Sequence, residues 1–152
     1  MARKNYTWDH LSSLQLGRYA EYFVKMELTR YGLEIYSSEV DNSGVDFIAK
    51  TSSSRYYDFQ VKAVRDINYI PIPKNRFIPR ENLIAAIIIF IENEEPNLYL
   101  IPSISWKTPN ALLVSKDPED EESEPEWGLN LTKETCKLLE PYLPQKIINT
   151  LK

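Results

Sequence analysis

Asp46, Gln60 and Lys62 are the side chains whose types and spacing suggest chemistry. They fall in one stretch, SGVDFIAKTSSSRYYDFQVKAV (residues 43–64), in which an acid is followed, after a short polar turn, by an amide and an ammonium two residues apart. A carboxylate and an amide oxygen can hold a divalent cation, and the peptide carbonyl of Val61 can complete the inner shell. Such a cation clamps a phosphate and lowers the pKa of its water, while Lys62 orients that water and stabilises charge at phosphorus. The cluster therefore suits phosphodiester hydrolysis. With His10 the only histidine and Cys136 the only cysteine, a Cys/His zinc site and an internal disulfide are both excluded. Oxygen ligands favour Mg2+ or Mn2+.

The elements that must bring these residues together can be read on either side of them. GVDFIAK and YYDFQVKAV alternate with period two about the polar TSSS, the pattern of a hairpin. Val45, Phe47 and Ala49 then share a face with Phe59, Val61 and Ala63, which puts Asp46, Gln60 and Lys62 together on the opposite one. Asp58 shares that face and reads as a solvated strand end. Asp46 also reads as a cap of the turn at DNSG, with Asp41 a second acid nearby.

Upstream, DHLSSLQLGRYAEYFVKMELTRYG predicts an amphipathic helix capped by Asp9, Ser12 or Ser13 and ended at Gly32. Its buried side is expected to hold Leu16, Tyr19, Ala20, Phe23, Val24 and Met26. Gly17 is costly inside a helix and implies close approach by a strand, a nucleic-acid backbone or packed neighbours. LEIYSSEV reads as a first strand, LIAAIIIFIE as a strand covered on both faces, and NLYLIPS as the next. The proline-rich RDINYIPIPKNRFIPREN between them reads as an extended loop. At the C-terminal end, LTKETCKLLEPYLPQKIINTLK reads as two short helices with Thr132 as cap. The expected fold is a single α/β domain spanning residues 1–152, with a mixed central sheet of about five strands flanked by helices.

The segments GRYAE, SGVDFIA and FQVKA together resemble the PD-(D/E)xK nuclease superfamily, which includes archaeal Holliday-junction resolvases and many restriction endonucleases. The resemblance covers residues 17–65 and implies a restriction endonuclease-like fold and a Mg2+- or Mn2+-dependent DNA endonuclease of defence, repair or recombination type. It also implies catalytic roles for Glu21, Asp46, Gln60 and Lys62, with Glu21, Asp46, Gln60 and the Val61 carbonyl about the metal. Two positions depart from the pattern: no proline precedes Asp46, and Gln60 replaces the usual acid, as in Mrr-type restriction enzymes. The loss of one negative charge implies weaker magnesium affinity and a larger part for Glu21. The alternative is a catalytically inactive member of the same fold that binds nucleic acid or a protein partner.

Charge bears on that partner. Residues 116–126 hold seven acids against one lysine, a net of −6 within an overall −4, so the rest of the chain carries +2. Such a block reads as a mobile, solvated loop. Arg65, Lys74, Arg76 and Arg80, interleaved with Tyr69 and Phe77, are expected to track a DNA backbone by shape rather than sequence. Tyr56, Tyr57, Trp106 and Trp127 are assigned to the core or to a homodimer surface. No membrane-length apolar run or secretory leader is present in these 152 residues, so a cytoplasmic location is expected.

Overall fold

The structure is a computed structural model, described over residues 5–37 and 44–151. Its first element, α1 (Ser13–Arg30), starts where Ser12 and Gln15 satisfy one another: the Gln15 N–H donates to Ser12 Oγ at 3.1 Å, and the Ser12 N–H donates to Gln15 Oε1 at 2.9 Å. It ends at Gly32, whose φ of +94° allows Gly32 N–H to reach Thr29 O and Leu33 N–H to reach Leu28 O. Leu16, Ala20, Val24 and Leu28 form the buried stripe. Tyr19 and Met26, expected inside, are exposed, because the four-residue spacing prevails and the contact stripe is narrower than the apolar pattern. An added Cβ at Gly17 would meet nothing within 4 Å, so packed protein neighbours do not explain that glycine.

A mixed five-stranded sheet follows, in the order β1-β2-β3-β5-β6. It comprises β1 (Glu34–Ser37), β2 (Phe47–Lys50), β3 (Tyr56–Arg65), β5 (Leu83–Phe90) and β6 (Asn97–Pro102). All pairings are antiparallel except the central one between β3 and β5. The isoleucine-rich β5 is buried along its whole length: Ile84, Ala86, Ile88 and Phe90 join the core under α1, and Leu83, Ala85, Ile87 and Ile89 join a second core on the opposite face. The expected continuation of β1 to Val40, and the acid Asp41, lie outside the described residues.

That second core is roofed by an element the sequence reading missed. β4 (Ile70–Pro73), β7 (Leu113–Lys116) and β8 (Glu126–Leu129) form a three-stranded antiparallel sheet in the order β4-β8-β7. The proline-rich segment is therefore not wholly a loop. Pro71 and Pro73 bar it from a sheet interior but not from the edge place that β4 takes. The acidic run is a loop at residues 117–125, joining β7 to β8. At the C-terminal end, a 3-10 helix (Thr135–Tyr142) and α2 (Pro144–Ile148) contribute Leu139 to one core and Ile147 to the other. The Thr132 hydroxyl accepts from Thr135 N–H at 3.1 Å, as expected of a cap. No described helix is long and apolar enough to cross a membrane.

Candidate functional site

The site is built on the hairpin of β2 and β3. Phe47 pairs with Phe59 and Ile48 with Asp58, so the same antiparallel register carries Asp46 opposite Gln60. The Phe47 and Phe59 rings stack at 5.2 Å beneath the pair, locking that register from the apolar side. The Asp46 N–H donates to Phe59 O at 2.8 Å, and Asp46 Oδ2 accepts from Val61 N–H at 2.6 Å. On an extended strand the N–H and C=O of one residue point to the same neighbour, so the Val61 carbonyl also faces the Asp46 side rather than β5.

Gln60 lies beneath, with only 5% of its surface exposed, and its buried Oε1 has no hydrogen-bond partner among the described residues. Such an orphan acceptor costs ~1–3 kcal/mol unless something else supplies positive charge. Gly44 makes room for it. At φ +79°, a Cβ on Gly44 would sit 2.9 Å from Gln60 Nε2 and 2.8 Å from Arg76 O, so only glycine allows these three segments to meet. Sequence reasoning passed over Gly44 as part of a turn. Its signal was a glycine two residues before the acid, at a point where the chain must turn into a strand.

Lys62 is half-buried on the same face as Gln60. Burial pushes its ammonium below the usual lysine range, Asp46 opposes that shift, and the positive charge of Arg76 adds to it. Asp46, Gln60, Lys62 and Arg76 thus occupy one corner, where the three-residue 3-10 turn after β4 (Lys74–Arg76) meets the hairpin.

The remaining expected site residues are held elsewhere or otherwise engaged. Glu21 pairs with Lys25 at 3.2 Å, one turn along α1, and Lys25 Nζ lies 5.6 Å from the Phe47 ring centroid. Arg65 donates from both terminal nitrogens to the carbonyls of Trp8 and Leu11, tying β3 to the segment before α1. Lys74 reaches Ser115 Oγ at 2.6 Å and Asp117 Oδ1 at 2.9 Å, and lies over the Trp127 ring. Arg80 pairs with Asp58 at 2.5 Å, so Asp58 is an ion-pair partner rather than a solvated strand end. Trp106 is fully buried, whereas Tyr56 is exposed beside Tyr36.

Among the described residues, no three His, Cys, Asp or Glu side chains gather in a way that would hold a metal ion. A cation at this corner would rely on the mixed oxygen set of Asp46, the Val61 carbonyl and Gln60 Oε1. The orphaned Gln60 oxygen fits that set, because a hard cation accepts neutral amide and peptide oxygens beside a carboxylate. No protein-family model and no curated protein matches the chain.

Proposed function

We propose that the chain is a divalent-cation-dependent DNA endonuclease with a restriction endonuclease-like fold, its reaction centred on Asp46, Gln60, Val61 and Lys62. The observation that carries this reading is the buried, unpartnered Gln60 Oε1, held by hairpin register opposite Asp46 and two residues from Lys62. A bound Mg2+ or Mn2+ would neutralise phosphate charge and acidify water at the scissile bond. Asp46 supplies the formal negative charge for such an ion, Gln60 and the Val61 carbonyl supply neutral oxygens, and Glu21 joins only if it leaves Lys25. A half-buried ion pair between neighbouring helical turns opposes release by about 1 kcal/mol. Lys62 as the ammonium holds the attacking water in line and stabilises the extra negative charge that forms at phosphorus.

A second reading is favoured by the charges acting on Lys62 among the described residues, the Asp46 carboxylate and the Arg76 guanidinium. That balance suits an anion even without a metal and supports a nucleic-acid-binding module that does not cut. The two readings separate when supercoiled, linear and branched DNA are incubated with Mg2+ or Mn2+ and wild type is compared with Lys62→Ala and Asp46→Ala. Cutting that needs the metal and both side chains supports the endonuclease. No cutting of any substrate, with no calorimetric heat on adding either metal, leaves the binding module.

A further inference from the structure

We propose that the uncovered part of the polar sheet face, with Tyr36 and Tyr56 as its rings, is a platform on which unpaired DNA bases stack as the strand runs on to the Gln60 corner. The proposal takes from the reading above only that the ligand is DNA, and adds that the DNA is single-stranded where it meets this face. It concerns binding and needs no metal.

Side-chain parity places the platform. Tyr56, Asp58, Gln60 and Lys62 alternate along one face of β3. The register carries that face outward across the sheet, from Asp58 to Ile48 and Tyr36, and from Tyr56 to Lys50 and Glu34. Residues 76–80 cross the face only as far as Asp58. At one end the Arg76 backbone lies against Gly44 and Gln60, and at the other Arg80, clamped at its N–H and its carbonyl by the buried Ser103 hydroxyl, pairs with Asp58. The second core covers β5 on that side, whereas Tyr36, Ile48 and Tyr56 belong to neither core. About half of each tyrosine is open, 46% of Tyr36 and 54% of Tyr56.

A single exposed tyrosine is ordinary on a protein surface. These two stand over β2 from the strands on either side of it, with ring centroids 6.3 Å apart and planes tilted by 49°, so they are neighbours that do not stack on one another. Both are carried on strands rather than on a loop, with Ile48 half-buried on the strand between them. Bases stack on aromatic rings whatever their sequence, but paired bases inside a duplex have their faces occupied by their neighbours. The charges suit a phosphate backbone. Glu34 accepts from the Tyr36 hydroxyl at 2.9 Å and Asp58 is neutralised by Arg80, while Lys50, across from Tyr56, pairs with no acid among the described residues. Arg55, next to Tyr56, lines an open notch with Glu81 and Asn82. From Tyr56 to Gln60 is four residues of extended strand, about 13 Å, so DNA stacked on the rings reaches the Gln60 corner without leaving this face.

The test is fluorescence anisotropy of a labelled single-stranded oligonucleotide, and of its duplex, in EDTA across a salt series. Wild type is compared with Tyr36→Ala, Tyr56→Ala, the ring-keeping Tyr36→Phe and Tyr56→Phe, Lys50→Ala, and Tyr22→Ala, which removes a comparably exposed tyrosine from α1; thermal melts confirm that all are folded. Each alanine at the platform is expected to weaken single-strand binding about tenfold, with the slope of log K against log salt unchanged, and to leave duplex binding as it was. The phenylalanine variants and Tyr22→Ala should bind as wild type, and Lys50→Ala should reduce the single-strand slope by about 0.7. Wild type that does not bind the single strand in EDTA, platform alanine variants that bind it as tightly as wild type, or equal losses on strand and duplex would overturn the proposal. So would a wild-type dimer in sedimentation velocity that either platform alanine dissociates while oligonucleotide binding is unaltered, which would give the face to a second copy of the chain. Cleavage with Mg2+ or Mn2+ is scored on the same preparations. Lys62-dependent cutting with unaltered strand binding by both platform alanines would sink the platform and spare the endonuclease. Ring-dependent strand binding without cutting would do the reverse.

Discussion

On one face of β3, Phe59 stacks on Phe47, and Val61 and Ala63 pack into the core beneath α1. On the other, Gln60 buries an oxygen with no partner, Lys62 is held below its ordinary pKa by burial, and Arg80 neutralises Asp58. The first face is what stability alone would select. The second carries groups that a core selected for stability would replace with apolar side chains. The strand therefore divides its labour by side-chain parity, and substitutions on the two faces should separate stability from function.

The largest effect should come from the apolar face. Phe59→Ala removes a fully buried ring and is expected to cost ~3–5 kcal/mol in urea denaturation. Lys62→Met should leave stability equal or higher at neutral pH. The sign follows from linkage: the folded pKa lies below the unfolded one, so protonated Lys62 opposes folding in full below the folded pKa, and that opposition fades as pH rises from the folded to the unfolded pKa. Cutting by Lys62→Met should nevertheless fall by about 10²–10³. A Lys62→Met protein that is both active and unchanged in stability would erase the contrast between the faces.

Gln60→Glu sharpens the comparison. A carboxylate in that buried position should lower the melting temperature in EDTA, because an isolated charge is poorly solvated there. Adding Mg2+ or Mn2+ should restore it, by ~2.7 kcal/mol at a hundredfold excess over Kd, and more strongly than in wild type. If divalent cations rescue neither protein, the orphan oxygen has some other use.

A smaller effect is expected in the pH profile. Arg76 helps to hold the Lys62 pKa down, so Arg76→Ala should raise it. If Lys62 acts as the ammonium, activity falls as pH rises through that pKa. The alkaline limb of kcat should then move to higher pH in Arg76→Ala, and to lower pH in Asp46→Glu if the longer acid sits farther from the ammonium. A limb that does not move would place the Lys62 proton outside the rate-determining step.

The same parity explains how much of the molecule was legible. Alternation in residues 45–49 and 57–63, broken only by Ile48, set the hairpin faces, and the unbroken apolar run of β5 announced two-sided burial. The small second sheet carried no such signal. β4 has prolines at alternate positions, and β7 and β8 are four residues each, with Lys116 and Glu126 at the ends that flank the acidic loop. The pairing of β4 with β8 joins residues more than fifty apart, which local pattern does not report. The roof over the polar face, and with it the placing of Arg76 at Lys62, was consequently hidden. So was the fate of the other cations: Lys74 meets a carboxylate from a hairpin that the sequence did not show.

Gly17 lies on α1, which covers the apolar side of β3. Its cost inside α1 implied a close neighbour, yet the space beside it is open within the protein. Gly17→Ala should therefore stabilise the fold by ~1 kcal/mol, read as a rise of about 2–4 °C in melting temperature. Should DNA use that space, the firmer protein would bind duplex more weakly in EDTA, because the new methyl stands where the backbone must approach. Equal affinity would remove this part of α1 from the contact surface and confine recognition to the polar face of β3 and the segment that crosses it. Stabilisation without loss of binding is the expected result, since Glu21, one turn further on, is already turned toward Lys25 rather than toward a ligand.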